Sequence, residues 1–327
     1  MNWENRKVLV TGAGGFIGSH LCEDLVRLGA DVTALVHYNS QNSNGWLDHS
    51  IHKEQLHLVA GDITDAGFVD TLIQGMDTVF HLAALIAIPY SYVAPDSYIQ
   101  TNIIGTTNVL KAVRRYENRR LLHTSTSEVY GSAQYVPINE AHPLQGQSPY
   151  SASKIGADMM ADAYYRSFNV PVTTIRPFNT FGPRQSTRAV IPTIITQCLK
   201  KQTINLGSLT PTRDMNYVKN TTSGFIAAAQ NDKVIGETIN FGSGREISIS
   251  DLAALIARLC DNECNIIQED ARKRPEKSEV ERLLADHTKA TELLNWHPET
   301  SLEDGLTKTI EWFSENLHKY ETGKYVI

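Results

Sequence analysis

Gly12, Gly15 and Gly18 recur at three-residue intervals between a short apolar run, Lys7-Val8-Leu9-Val10, and a stretch with helical apolar spacing (Ile17, Leu21, Leu25, Leu28). No other feature constrains the fold as much. The first glycine lets the chain turn tightly after a strand. The second lets the backbone approach a pyrophosphate, and the third lets helix and strand pack closely. The helix that follows, opening at Phe16 and Ile17, turns free N–H groups and a positive dipole end toward the phosphates. Gly29 is placed to end it, and Val32 to Val36 reads as a second buried strand. A dinucleotide-binding strand–helix–strand unit is therefore expected at the amino-terminal end.

The alternation continues. Strands are expected at Leu56–Val59, Thr78–Leu82, Arg120–Thr124 and Val172–Arg176. Helices are expected near Ala66–Gln74, Tyr98–Arg115 and from Pro149 onward. This pattern predicts an α/β fold, a Rossmann-type doubly wound parallel sheet with right-handed crossovers. Texture changes after Pro177, where Pro183, Pro192 and Pro211 punctuate short segments. The expected division is a dinucleotide-binding domain over 1–178, with a returning segment at about 214–243 that adds the strand Thr238–Phe241. Residues 179–213 and 244–327 are expected to form a smaller, C-terminal substrate-binding lid.

Composition narrows the function classes. A net charge of -6 argues against a general nucleic-acid or acidic-membrane binder. The longest apolar stretch, Leu82 to Pro89, is far short of the roughly 20 residues that span a bilayer. The polar amino terminus lacks the apolar core of a signal peptide. Cys260 and Cys264 have no matching pair, so no metal site is expected, and all four cysteines read as reduced thiols in a cytoplasmic protein.

The residues after the second strand bear on cofactor choice. Val36-His37-Tyr38-Asn39-Ser40 holds neither the acid that would bind an adenosine ribose nor an arginine for a 2′-phosphate. His37, Asn39 and Ser40 could hold that phosphate, or form a plain polar loop. The reading is NAD, with NADP left open. Asp62, followed by Ile63 past the third strand, can accept from the adenine amine or cap the next helix.

Tyr150 and Lys154 stand one helical turn apart, downstream of Thr124-Ser125-Thr126-Ser127-Glu128. A phenol ionises near pH 10, roughly, and a neighbouring ammonium is expected to lower that value. Tyr150 can then act as base toward a substrate hydroxyl while hydride leaves its carbon, with Thr126 positioning the oxygen.

With these pieces assembled, the chain resembles the extended short-chain dehydrogenase/reductase superfamily, in its nucleotide-sugar branch. The resemblance runs through the glycine motif, His81-Leu82-Ala83-Ala84, Asn102, Thr126, Tyr150, Lys154, the run from Arg176-Pro177-Phe178-Asn179 to Arg184, and Arg213-Asp214. It implies that Leu82, Ala83, Ala84, Asn102 and Pro177 line the cofactor cleft, and that Asn179, Arg184 and Arg213 contact a nucleotide diphosphate. Arginine suits diphosphate because its planar fork donates two hydrogen bonds at once. Arg274-Pro275, Ser278-Glu279-Val280 and Asn295-Trp296-His297-Pro298 are similar to the tail of GDP-mannose dehydratases, which implies phosphate and ribose roles for Arg274 and Glu279. It also implies a homodimer built on the helices near Tyr98–Arg115 and Tyr150–Phe168.

Within the branch, epimerases resemble Ser-Ser-Ser, most 4,6-dehydratases Thr-Asp-Glu, and uronic acid decarboxylases Thr-Ser-Glu. This chain reads Thr126-Ser127-Glu128. A ketone made at C4 acidifies the C5 proton, and Glu128 is the expected base for its removal before water leaves C6. Ser127 replaces the acid that usually protonates the leaving hydroxyl, so either Glu128 or a Ser127-held water must do so. The segments Tyr135–Glu140, Pro143–Tyr150 and Ala189–Ile195 are similar to 4,6-dehydratases of legionaminic-acid-type pathways. The expected activity is thus a 4,6-dehydratase on a GDP- or UDP-N-acetylglucosamine type of substrate, with a decarboxylase or 4-epimerase as the alternative.

Overall fold

The computed structural model describes residues 2–116, 120–200 and 203–320. Seven strands make the central sheet: β1 (Lys7–Thr11), β2 (Asp31–His37), β3 (Leu56–Gly61), β4 (Thr78–His81), β5 (Arg120–Thr124), β6 (Val172–Pro177) and, later in the chain, Thr238–Phe241. Three short strands precede that last one: β7 (Asn179–Phe181), β8 (Ile204–Leu206) and β9 (Thr212–Tyr217), which makes Thr238–Phe241 β10. The sheet order is β10-β6-β5-β4-β1-β2-β3, and every pairing is parallel. Strand order reverses between β1 and β4, and open sheets of this kind bind ligands at that switch, beyond the carboxyl ends of the strands.

The strands are apolar on both faces because helices cover both. Val8, Val10, Val32, Ala34 and Phe80 pack into one core layer, and Leu9, Leu35, Val79 and Leu121 into the other. The helix Phe16–Arg27 buries Leu21, Cys22 and Leu25 against the first layer, and Gly29 leaves it at a positive φ of 88°. The helix Pro149–Phe168 begins with a reciprocal Ser148–Ser151 capping box and proline in its first turn, and ends at left-handed Asn169. One expectation needs correction. The Tyr98–Arg115 segment is not a uniform helix: Ile99–Gly105 is π-helical between Pro95–Tyr98 and Thr106–Arg115. Asn102 lies in this widened stretch and bonds the backbone of Leu85 in both directions, at 2.9 Å each.

A second core gathers Phe181, Ile191, Ile194, Ile195, Tyr217, Leu252, Ile256, Leu306 and Phe313. Around it lie a three-stranded sheet, β11-β9-β7, with β11 at Glu246–Ser248, and a two-stranded sheet that pairs β8 with β12 (Ile266–Gln268). Phe16 and Ile17 pack against this second core from the dinucleotide side. The expected lid segments include residues 201–202 and 321–327, which lie outside the described residues. Among the described residues no helix is long and apolar enough to cross a membrane.

Candidate active site

The glycine loop shows why its residues are glycine. Gly12 has a φ of 70°, and a Cβ there would meet the Ala83 backbone at 2.9 Å. A Cβ on Gly18 would collide with the Gly12 carbonyl at 2.3 Å. Thr11 Oγ1 accepts from the N–H groups of Leu82 and Ala83, so the loops after β1 and β4 are tied side by side at the switch point. The helix that starts beside them has Gly15 as N-cap, no side-chain cap bond and no acidic residue in its first turn. Its N-terminus therefore fits a diphosphate.

At the end of β2, His37 Nε2 lies 3.4 Å from Asp62 Oδ2, while Asp62 Oδ1 accepts from the backbone and hydroxyl of Thr64. Ile63 is buried, and Ser40 is exposed. Asn39 departs from its expected cofactor contact. Its amide donates to the His37 and Ser43 carbonyls and accepts from the N–H groups of Gln41 and Ser43, so both ends build its own turn. Asn102 departs too. It is fully buried, and it clamps Leu85 to Ser153 on the catalytic helix.

The catalytic candidates converge. Thr126 caps a short turn, Ser127–Tyr130, by accepting from the Glu128 N–H at 3.2 Å. Ser127 is 2% and Glu128 8% exposed. Tyr150 is set among Ile88, Tyr98 and Leu85, with the Tyr98 ring edge-on at 6.3 Å. Burial pushes the Tyr150 phenol above its ordinary value; the Thr126 hydroxyl works downward, and the Glu128, Tyr98 and Asp158 charges work upward. Burial thus opposes the acidification expected from Lys154. Burial brings Lys154 itself down to about 8, and its ammonium donates to the Thr124 carbonyl at 2.5 Å. Desolvation thus outweighs the attraction between neighbours.

Behind this pair lies a buried ionic network absent from the sequence expectations. Asp158 receives His123 Nε2 at 3.0 Å, Ser125 Oγ at 2.7 Å, and Arg176 Nη2 at 2.9 Å. Arg176 also donates to the Tyr130 hydroxyl, which donates to Asn240. Two sequence signals pointed here: a charged residue inside the apolar β6 needs a buried counter-charge, and Asp158 falls one turn beyond Lys154.

Arg213 is buried on β9, where its guanidinium donates to Glu279 at 3.2 Å. Burial lowers its pKa, and the charge of Glu128 opposes that most strongly. Arg274 Nη1 lies 3.7 Å from the same Glu279 and is buried with no hydrogen-bond partner among the described residues, as is Asn179 Oδ1 at the start of β7. Buried polar groups left without partners fit a polar ligand at this end of the site. Pro177 ends β6 beside them and is buried. Arg184 makes its contacts toward the dinucleotide side. It sits at a positive φ of 73° and bonds Glu23 at 2.8 Å and Ser19 at 3.2 Å, both on the dinucleotide helix.

Comparison with known proteins identifies the family. The model of the GDP-mannose 4,6 dehydratase family matches residues 9–309. A dTDP-glucose 4,6-dehydratase of Actinoplanes is 31% identical over 95% of this chain and 98% of its own length. UDP-glucuronic acid decarboxylase 1 of Danio rerio is 31% identical over 99% of this chain and 76% of its own. A trifunctional UDP-glucose 4,6-dehydratase of Arabidopsis thaliana is 33% identical over 95% of this chain, which spans only 47% of that longer protein. Among solved structures, the dTDP-glucose 4,6-dehydratase DesIV of Streptomyces venezuelae, with NAD bound, superposes with a TM-score of 0.85 at 30% identity, over 96% of this chain and 98% of that one. A UDP-glucuronic acid 4-epimerase of Bacillus cereus, also with NAD, gives 0.86 at 29% identity, over 95% and 99%. The chain belongs to the GDP-mannose 4,6 dehydratase family, a group of nucleotide-sugar-modifying enzymes of the short-chain dehydrogenase/reductase type.

Proposed function

We propose that the protein is an NAD-dependent 4,6-dehydratase of a nucleotide-linked N-acetylhexosamine, of the GDP- or UDP-N-acetylglucosamine type. One observation carries the reading: a buried carboxylate, Glu128, acts electrostatically on the Tyr150 phenol. A simple alcohol oxidation needs the phenol alone. Removing the proton next to a ketone needs a second base at the same place. The resemblance to legionaminic-acid-type dehydratases supports the N-acetylated sugar.

NAD, when bound, supplies hydride acceptance from C4 and hydride return to C6. Tyr150 takes the proton of the C4 hydroxyl, with Thr126 aligning the oxygen and Lys154 supplying positive charge. Glu128 then takes the C5 proton. Ser127 has no acidic proton to give, so Glu128 also delivers that proton to O6, the C6–O bond breaks, and water leaves. When C6 is reduced, the proton that Tyr150 took from the C4 hydroxyl passes by way of Glu128 to C5, and both groups regain their starting states. Asn179, Arg213, Arg274 and Glu279 hold the nucleotide side of the substrate. The free cysteines support a cytoplasmic setting. Exposed Ile99, Ile104, Met159 and Phe168, on the two helices expected to pair, support a homodimer.

A second reading has its own observation. Arg213, beside Glu128, could hold a uronic carboxylate, which supports a decarboxylase or 4-epimerase. Incubation with UDP- and GDP-N-acetylglucosamine and with UDP-glucuronic acid, followed by mass spectrometry, separates them. A product lighter by one water supports the dehydratase. Loss of carbon dioxide, or an isomer of unchanged mass, supports the second reading and overturns the first.

A further inference from the structure

We infer that Asp158 is a positioning residue for the catalytic pair: its carboxylate is the counter-charge that keeps Lys154 an ammonium, while it also ties Ser125 to the catalytic helix. The inference rests on the reading that Tyr150 and Lys154 run the proton chemistry.

Tyr150, Lys154 and Asp158 follow at four-residue steps on the helix Pro149–Phe168 and so share one stripe of its surface. All three side chains are turned inward, with exposures of 7%, 4% and 2%. An ammonium this deep needs an anion close by. The groups around it leave one choice. His81 on β4 and His123 on β5 face Lys154, and burial drives both below the ordinary histidine range, so they are neutral near pH 7. Arg176 on β6 is a cation. Glu128, in the turn after β5, acts on Tyr150 and Arg213. Glu140 and Glu237 line, together with Asp158, a cavity of about 260 Å³, but both are engaged elsewhere: the Glu140 carboxylate accepts from the Asn240 N–H, and Glu237 accepts from Lys289 at 2.7 Å. Asp158 remains. Burial acts to raise its carboxyl, but the His123 bond, the Arg176 charge and the Ser125 hydroxyl outweigh that and hold it ionised.

The same carboxylate joins the two catalytic segments. Ser125 donates to Asp158 at 2.7 Å, and the next residue is Thr126. Lys154 meanwhile donates to the carbonyl of Thr124. The end of β5 is thus held to the helix at two consecutive residues, Thr124 and Ser125.

The test is a carbon NMR titration of lysine-labelled, full-length protein saturated with NAD, with the Lys154 signal assigned by Lys154→Arg. Wild-type Lys154 should titrate near 8. In Asp158→Asn it should titrate about one pH unit lower or more. That variant leaves Arg176 buried without its partner, so Asp158→Asn/Arg176→Gln is the companion; it removes the ion pair as a unit and should give the same shift. An unchanged Lys154 titration in either variant overturns the inference. No substrate enters this measurement. Absence of turnover of nucleotide sugars by the wild type would therefore sink the functional reading and leave the counter-charge question decided on its own. Where turnover is seen, removing Asp158 should move both limbs of the pH profile toward acid, because the carboxylate raises Tyr150 as well as Lys154. A merely structural role would lower the height of the profile and leave its limbs in place.

Discussion

Arg184 donates to Glu23 Oε1 at 2.8 Å, and that bond fastens the turn after β7 to the dinucleotide-binding helix. Glu23 is 4% exposed; the same Oε1 accepts from Ser50 at 2.7 Å, and Oε2 lies 3.7 Å from Arg27 Nη2. Burial works to raise the Glu23 carboxyl, and Arg184 with Ser50 brings it below the ordinary range instead. Arg184→Ala leaves a buried carboxylate with a hydroxyl as its main partner. The expected loss is about 3 kcal/mol of stability, read as a lower denaturant midpoint. The KM for the nucleotide sugar should stay within about threefold, since 1.4 kcal/mol would be needed for tenfold. A large rise in KM with unchanged stability would restore the diphosphate role.

Arg274 should behave in the opposite way. One of its nitrogens is buried with no hydrogen-bond partner among the described residues, and Glu279 is 3.7 Å away. Little stability depends on it. A charge-assisted bond to phosphate is worth about 1.5–3 kcal/mol, so Arg274→Ala should raise KM about 10- to 100-fold and leave kcat within a few-fold. Steady-state kinetics beside thermal melts for both arginine variants would separate a substrate contact from a structural one.

Glu128→Gln keeps the shape of the side chain and removes the base. Oxidation at C4 should continue while elimination slows on the order of 10²–10⁴-fold. The near-ultraviolet absorbance of reduced nicotinamide should then rise in a single turnover and persist, where the wild type shows it only transiently. Near-normal dehydration by this variant would remove Glu128 from the C5 step.

Much of this molecule is legible in its sequence, because its main signals are local. The glycine spacing, the apolar strands and the Pro149–Phe168 cap are each set within a few residues, and the structure forms each of them. What was hidden depends on distant partners. Whether Arg184 meets a ligand or Glu23 is decided by a contact across 161 residues, and no spacing rule reports it. Asn39 and Asn102 looked free as polar residues but are claimed by nearby and distant backbone. The burial of Tyr150 was hidden for a related reason. The attraction of Lys154 is visible along one helix turn, whereas burial by Ile88, Tyr98 and Leu85 arises only from tertiary packing.

His20 gives a prediction about acid. It lies on the dinucleotide helix, 5% exposed, with Nε2 3.1 Å from the Pro183 carbonyl. Burial brings it down to about 4, helped by the positive charges of Arg184 and Lys219. The unfolded chain takes up this proton near the ordinary histidine value of 6.5, whereas the folded chain resists it to about 4. Within that window the unfolded state binds more protons, so stability is intact above it and is lost as the pH falls through it. Linkage puts the loss at about 2 kcal/mol on going from about pH 7 to about pH 5. His20→Gln keeps a donor for Pro183 and has nothing to titrate, so its denaturant midpoint should fall less than the wild type's over the same step. Equal slopes in the two proteins would mean that the ring already takes a proton in the folded state, and that the turn at Pro183 and Arg184 opens before the rest of the domain.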